Sequence, residues 1–190
     1  HNIMKMIAHI ARVLVGITFI FSGFVKGIDP WGSAYKFQDY FTAMGIDWLN
    51  WAAFPLGVIL SFAEFLIGVG LLFNVFLSLF SWLALIFMVF FTGLTLWIAI
   101  YNPVTDCGCF GDALVISNWE TFYKNIVLII LTFIVFIYRN RLKNKYMKLS
   151  LVLSGIVVAV YFLLAVYSYN HLPIFDFRPY KVGTNIPESM

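Results

Sequence analysis

Five stretches of this chain are apolar for long enough to cross a hydrocarbon core, which takes about 20 residues as a helix. They run roughly over residues 7–26, 54–73, 76–101, 122–138 and 149–169. The chain is therefore predicted to be an all-α, multi-pass membrane protein. Composition points the same way. Hydrophobic residues make up 62% and charged residues 11%, against about half and a quarter in soluble domains. A formal charge of +3 gives no support to nucleic-acid binding. The first stretch is too long for a removable signal peptide. Gly27-Ile28-Asp29-Pro30-Trp31 follows it, not a small-x-small cleavage site. Met4-Lys5 reads as a natural start, with residues 1–3 an addition ahead of it.

Orientation follows from the basic residues. The link between the fourth and fifth stretches carries Arg139, Arg141, Lys143, Lys145 and Lys148 and no acid, which marks it as cytoplasmic. Counting outward from that link, the amino terminus and the Asn74 turn are cytoplasmic. The 27–53 loop, the loop after Tyr101 and the carboxyl terminus are periplasmic, in a bacterial inner membrane. Only Asn74 and its neighbours join the second and third stretches, so these are expected to form a tight antiparallel hairpin. Within the 27–53 loop, segment 33–50 mixes Tyr35, Phe37, Tyr40 and Phe41 with Lys36, Gln38 and Asp39. It reads as an amphipathic surface segment, a cap without chemistry. Trp31, Trp48 and Trp51 fit an interfacial aromatic belt. Residues 1–170 form the membrane domain. The tail 171–190, with its prolines and alternating aromatics, reads as a linker. No period of 20–50 residues is present.

The loop Asp106-Cys107-Gly108-Cys109-Phe110-Gly111-Asp112 holds the only two cysteines of the chain. On the oxidising side of a membrane such a pair favours a disulfide. Cysteines one residue apart bring their alpha carbons near the ~7 Å limit of disulfide geometry, so the bridge is expected to be strained, with Gly108 giving room to bend. A strained, exposed bridge is of the labile kind. Asp106 and Asp112 are expected to hold the thiol pKa values up. Three readings stay open at this point: thiol–disulfide exchange, an inert structural bridge, and a metal site with His171 and an aspartate. The last lacks a second cysteine pair to close a tetrahedron.

Glu64 lies near the middle of the second stretch. A carboxylate at that depth must face the bundle interior and find a partner or a proton. Gly57, Ser61, Glu64 and Gly68 share one helical face at 3–4 spacing, and Arg12, Gly16, Phe19, Gly23 and Lys26 form a matching face on the first stretch. Arg12 is expected to reach toward Glu64. The pair then serves either as a register-fixing ion pair or as a proton- or quinone-handling site. His9 and Lys26 read as snorkelling or capping residues, and His171 as a solvated residue of the tail.

Arg12, Gly16, Phe19, Gly23 and Lys26, the buried Glu64 and the Cys107-Gly108-Cys109-Phe110-Gly111 loop together resemble the DoxX/MauE membrane-protein superfamily. The loop and the tail from Leu172 to Pro187 are most similar to DoxX-like proteins of Bacteroidota. The resemblance covers essentially the whole chain. It implies a four-helix transmembrane bundle, here with a fifth helix, and association with disulfide formation. Members continue into a periplasmic thioredoxin-like domain, for which the tail would be the linker.

The leading functional reading is membrane thiol–disulfide exchange by Cys107 and Cys109, passing equivalents to a thioredoxin-like domain or protein. No other cysteine offers a route across the bilayer, so the second electron carrier is a quinone or another protein. Two rivals stand beside it. One is a membrane scaffold with a static bridge. The other is a small-molecule carrier using the Arg12–Glu64 face, disfavoured by the absence of repeat symmetry.

Overall fold

A computed structural model describes residues 2–111 and 113–171. The expectations placed on Asp112 and on the tail beyond His171 lie outside the described residues. The helices are α1 (Asn2–Gly27), α2 (Pro30–Ala43), α3 (Ala53–Leu72), α4 (Leu77–Tyr101), α5 (Asn118–Tyr138) and α6 (Met147–Asn170), with a 3-10 helix at Asp47–Ala52 leading into α3. Among the described residues there is no strand. All except α2 belong to five spans long and apolar enough to cross a membrane, as expected of a chain whose backbone polar groups must be satisfied within helices in lipid.

Local chemistry sets the helix ends. Ser117 and Glu120 form a capping box: Glu120 N–H donates to Ser117 Oγ at 3.3 Å, and Ser117 N–H donates to Glu120 Oε2 at 2.9 Å. This starts α5 four residues before the apolar run at 122, because polar residues tolerate the first turn of a capped helix. Asp29 accepts from Gly32 N–H at 3.1 Å, and Pro30 occupies the first turn of α2. The turn after α3 passes through Asn74 (φ 56°) and Phe76 (φ 44°).

The tightest seam is between α1 and α3, and it depends on glycine. A Cβ on Gly68 would lie 2.6 Å from Ile20 N, and one on Gly23 2.6 Å from Phe65 N. Neither helix could come so close with a side chain there. The expected hairpin is therefore only half right. The turn is tight, but α3 packs chiefly on α1 and α4 chiefly on α5, and α5 closes the ring against α1. The small-residue faces of α1 and α3 select each other over the chain neighbour. Val15, Phe19, Ile67, Leu71, Ala84, Met88, Leu128 and Val135 fill the interior of this four-helix ring.

The fifth long helix, α6, lies outside the ring. Its only buried residues are Ser154, Tyr161 and Ser168. Tyr161 donates to Gly23 O at 2.9 Å and stacks on Phe65 at 3.8 Å between centroids. At one end of the bundle, Asn74 Nδ2 donates to Leu142 O at 3.0 Å, and Asn144 Nδ2 donates to Asn74 O at 3.0 Å and Ser150 Oγ at 2.9 Å. The Asn74 turn and the basic link thus share an end. The other end carries α2 and the cysteine loop.

Candidate functional site

Cys107 and Cys109 are joined in a disulfide with alpha carbons 5.4 Å apart. That is well inside the ~7 Å limit expected from the sequence. Gly108 (φ +64°) and Gly111 (φ +55°) fold the chain back through conformations that glycine adopts without cost. The bridge is also less exposed than its loop position suggests. Cys107 is buried and Cys109 half-buried. Ser22 of α1 donates to Cys109 O at 2.5 Å, and Tyr40 of α2 donates to Cys107 O.

The segment read as a cap without chemistry therefore holds the loop. Lys36, one turn before Tyr40, pairs with Asp106 at 2.9 Å, and its alkyl stem lies over Gly108, where a Cβ would meet Lys36 Cδ at 3.0 Å. The Asp106 charge is paired with that of Lys36. Burial, then Asp106 and Asp39, push the Tyr40 hydroxyl well above the usual tyrosine range. It stays a protonated donor to the loop.

Beneath the bridge is a cavity of about 100 Å³, enclosed by α1, α2, α3, α4, α5 and residues 107–111. Its charged walls include Lys26, Lys36, Glu64 and Lys124, and its aromatic walls Phe19, Phe37, Phe87 and Phe91. Glu64, at 5% exposure, forms an ion pair with Lys26. Lys124 Nζ sits 4.2 Å over the Phe110 ring, which packs on Phe21 at 5.5 Å. Asn125 Nδ2 donates to Thr95 Oγ1 at 3.3 Å, tying α5 to α4 at the cavity wall.

Arg12 does not reach Glu64. Its Nη1 donates to Leu71 O at 2.5 Å and Leu72 O at 2.7 Å. Antiparallel register explains both partners. Gly16 faces Gly68 and Leu72, while Gly23 faces Ser61 and Phe65. Arg12 thus meets the last turn of α3, where carbonyls lack helical donors and the dipole is negative. Lys26, expected to snorkel, is the cation that pairs directly with Glu64. The carrier reading loses the Arg12–Glu64 face on which it stood.

His171 ends α6, stacked on Tyr167 at 4.4 Å with Nδ1 3.1 Å from Tyr167 O. Both cysteine sulfurs are spent in their mutual bond, and among the described residues no group of three or more His, Cys, Asp or Glu side chains converges to hold a metal. Sequence reasoning missed Ser22, Lys36, Tyr40 and Lys124. One signal was present: Thr121, Asn125 and Thr132, buried at 4- and 7-residue intervals, form a polar stripe on α5 beside Lys124.

No curated protein and no solved structure matches the chain. A family model described as methylamine utilisation protein MauE matches residues 4–138, from the start of α1 to the end of α5. With the four-helix ring and its cysteine-bearing end both inside that match, the chain belongs to the MauE family of membrane proteins.

Proposed function

We propose that this protein is a thiol–disulfide exchange component of the bacterial inner membrane, with its cysteine loop on the periplasmic face and a thioredoxin-like domain or protein as partner. One observation carries the reading: the only two cysteines of the chain are bonded to each other at the mouth of an interior cavity. A bridge that closes so short a loop adds only about 1.6 kcal/mol through chain entropy. Stability is a weak reason to keep it there.

Cys109 is the more exposed of the two cysteine residues. A partner thiolate attacks Cys109 Sγ, the Cys107–Cys109 bond breaks, and Cys107 leaves as a thiolate that takes up a proton. The second partner thiolate then attacks the partner sulfur of the mixed disulfide and releases Cys109, which is protonated in turn. Two partner thiols become one disulfide. The Cys107–Cys109 pair gains two electrons and two protons.

Thiol trapping by alkylation in native membranes, across a series of redox buffers, tests this. A pair that opens at potentials above about −300 mV behaves as an exchanging bridge. A pair that stays fully oxidised at that potential is a structural bridge, and the scaffold reading replaces exchange. In a Cys107→Ser variant, Cys109 is expected to accumulate a mixed disulfide with a periplasmic protein.

A further inference from the structure

The exchange reading leaves two electrons on the Cys107–Cys109 pair, and no other cysteine exists in the chain to receive them. The sulfurs have a second face. Cys107, Gly108 and Cys109 all line the cavity within the ring, so a small molecule there reaches the bridge without crossing the loop surface. The cavity, about 100 Å³, is of the order of the ~150 Å³ space known to admit a benzene ring. Phe19, Phe87 and Phe91 give it aromatic walls, while the ammonium groups of Lys26 and Lys124 supply hydrogen-bond donors. Among the described residues Lys124 is in no direct ion pair; its Nζ lies over the face of Phe110, and the Glu64 charge acts on it across the cavity.

Access also has a direction. Of the neighbouring pairs in the ring, α3 and α4 share the least contact, and Gly70 meets Phe80 close to their turn. Leu60 of α3 and Phe91 of α4, both half-buried, line the cavity farther along. The weakest seam of the ring therefore borders the cavity, between two helices that are long and apolar enough to cross a membrane. An occupant that arrives by this seam is lipid-soluble, carries an aromatic-sized ring, and accepts hydrogen bonds.

We infer that this cavity binds the ring of a quinone drawn from the bilayer, which reoxidises the Cys107–Cys109 dithiol. The inference rests on the exchange reading. In the step, both thiols give up their protons and one electron each, and the Sγ–Sγ bond re-forms. The two ring carbonyls gain two electrons and two protons and become hydroxyls. Lys26 and Lys124 are positioned to hydrogen-bond the ring oxygens as negative charge builds on them.

The test uses the full chain in lipid nanodiscs under anaerobic conditions with two arms. In the first, reduced protein is mixed with duroquinone, whose fully substituted ring takes no thiol adduct. Quinol absorbance and thiol alkylation are followed together. The expected result is one quinol per disulfide formed, with the rate lowered at least tenfold by Lys124→Gln and by the cavity-filling Leu60→Trp. In the second, oxidised wild-type protein is mixed with a dithiol peptide and no quinone. Peptide oxidation without quinol formation in the first arm overturns the quinone site and leaves exchange standing. Quinol formation with an inert peptide keeps the quinone site and overturns exchange. Unchanged quinol rates in both variants place the reaction outside the cavity and overturn the inference.

Discussion

Arg12 and Lys26 stand about four turns apart on α1 and meet opposite kinds of partner. Arg12 donates to two backbone carbonyls at the closing turn of α3. Lys26 pairs with a carboxylate on the wall of a cavity. The surroundings differ in the same sense. At the Asn74 end asparagines lace the turn to the basic link. At the cysteine end the ring holds a space lined by charge and sulfur. A cation on carbonyls completes a helix terminus, a structural task. An ion pair beside a void keeps two charges at hand that packing alone does not require, at a desolvation cost that a purely structural core avoids.

That contrast can be broken most forcefully at Lys26. Lys26→Met leaves Glu64 buried and unpaired, and should lower unfolding stability in detergent micelles by about 3–5 kcal/mol. Adding Glu64→Leu should recover most of it. A double variant no better than the single one removes the ion pair from the account. Arg12→Met, by comparison, is expected to cost about 1–2 kcal/mol.

Packing offers the next test. Gly68→Ala drives a Cβ into backbone atoms of α1, and should cost about 1–3 kcal/mol. Gly57→Ala, at the cysteine end, meets nothing nearer than Ser33 Cβ at 3.3 Å and should be close to neutral once the better helix propensity of alanine is counted. Equal losses at the two glycines would show that close backbone approach at Gly68 does not set its cost.

Smaller effects sharpen the loop itself. Replacing both cysteines by serine should lower stability by about 1.6 kcal/mol, the entropy of so short a closed loop; a much larger loss marks the bridge as structural. Tyr40→Phe should cost about 1 kcal/mol for one hydrogen bond. Its pH dependence has a definite sign. The folded state favours the neutral phenol, so the contribution is whole below pH ~10, the ordinary tyrosine value, and is lost only as pH rises toward the higher folded value. Unfolding curves of wild type and Tyr40→Phe should therefore stay a constant distance apart up to pH ~10.

The spans were legible because lipid imposes a length and a composition, and both are written locally. The interior carboxylate was legible for the same reason. Its partner was not. Choosing between Arg12 and Lys26 needs the register of α1 on α3, and three glycines fix that register only when both helices are present. The capping box of Ser117 and Glu120 could be read from spacing, yet four polar residues hid the start of α5 from a search for apolar length. Lys36, Tyr40 and Lys124 join the cysteine loop from helices far apart in sequence, and nothing local announces such a meeting.

Tyr161 gives α6 its place in time as well as in space. The slot it enters is made by Gly23 O on α1 and the Phe65 ring on α3, and Gly27 leaves room for the hydroxyl, where a Cβ would lie 1.8 Å from it. No such slot exists on either helix alone. Because α6 follows both of these helices in the chain, it can lock only onto a pair already assembled, and it inspects the α1–α3 seam before it closes over it. A chain whose seam has slipped offers Tyr161 no berth and leaves α6 loose in the bilayer, a ready mark of faulty assembly.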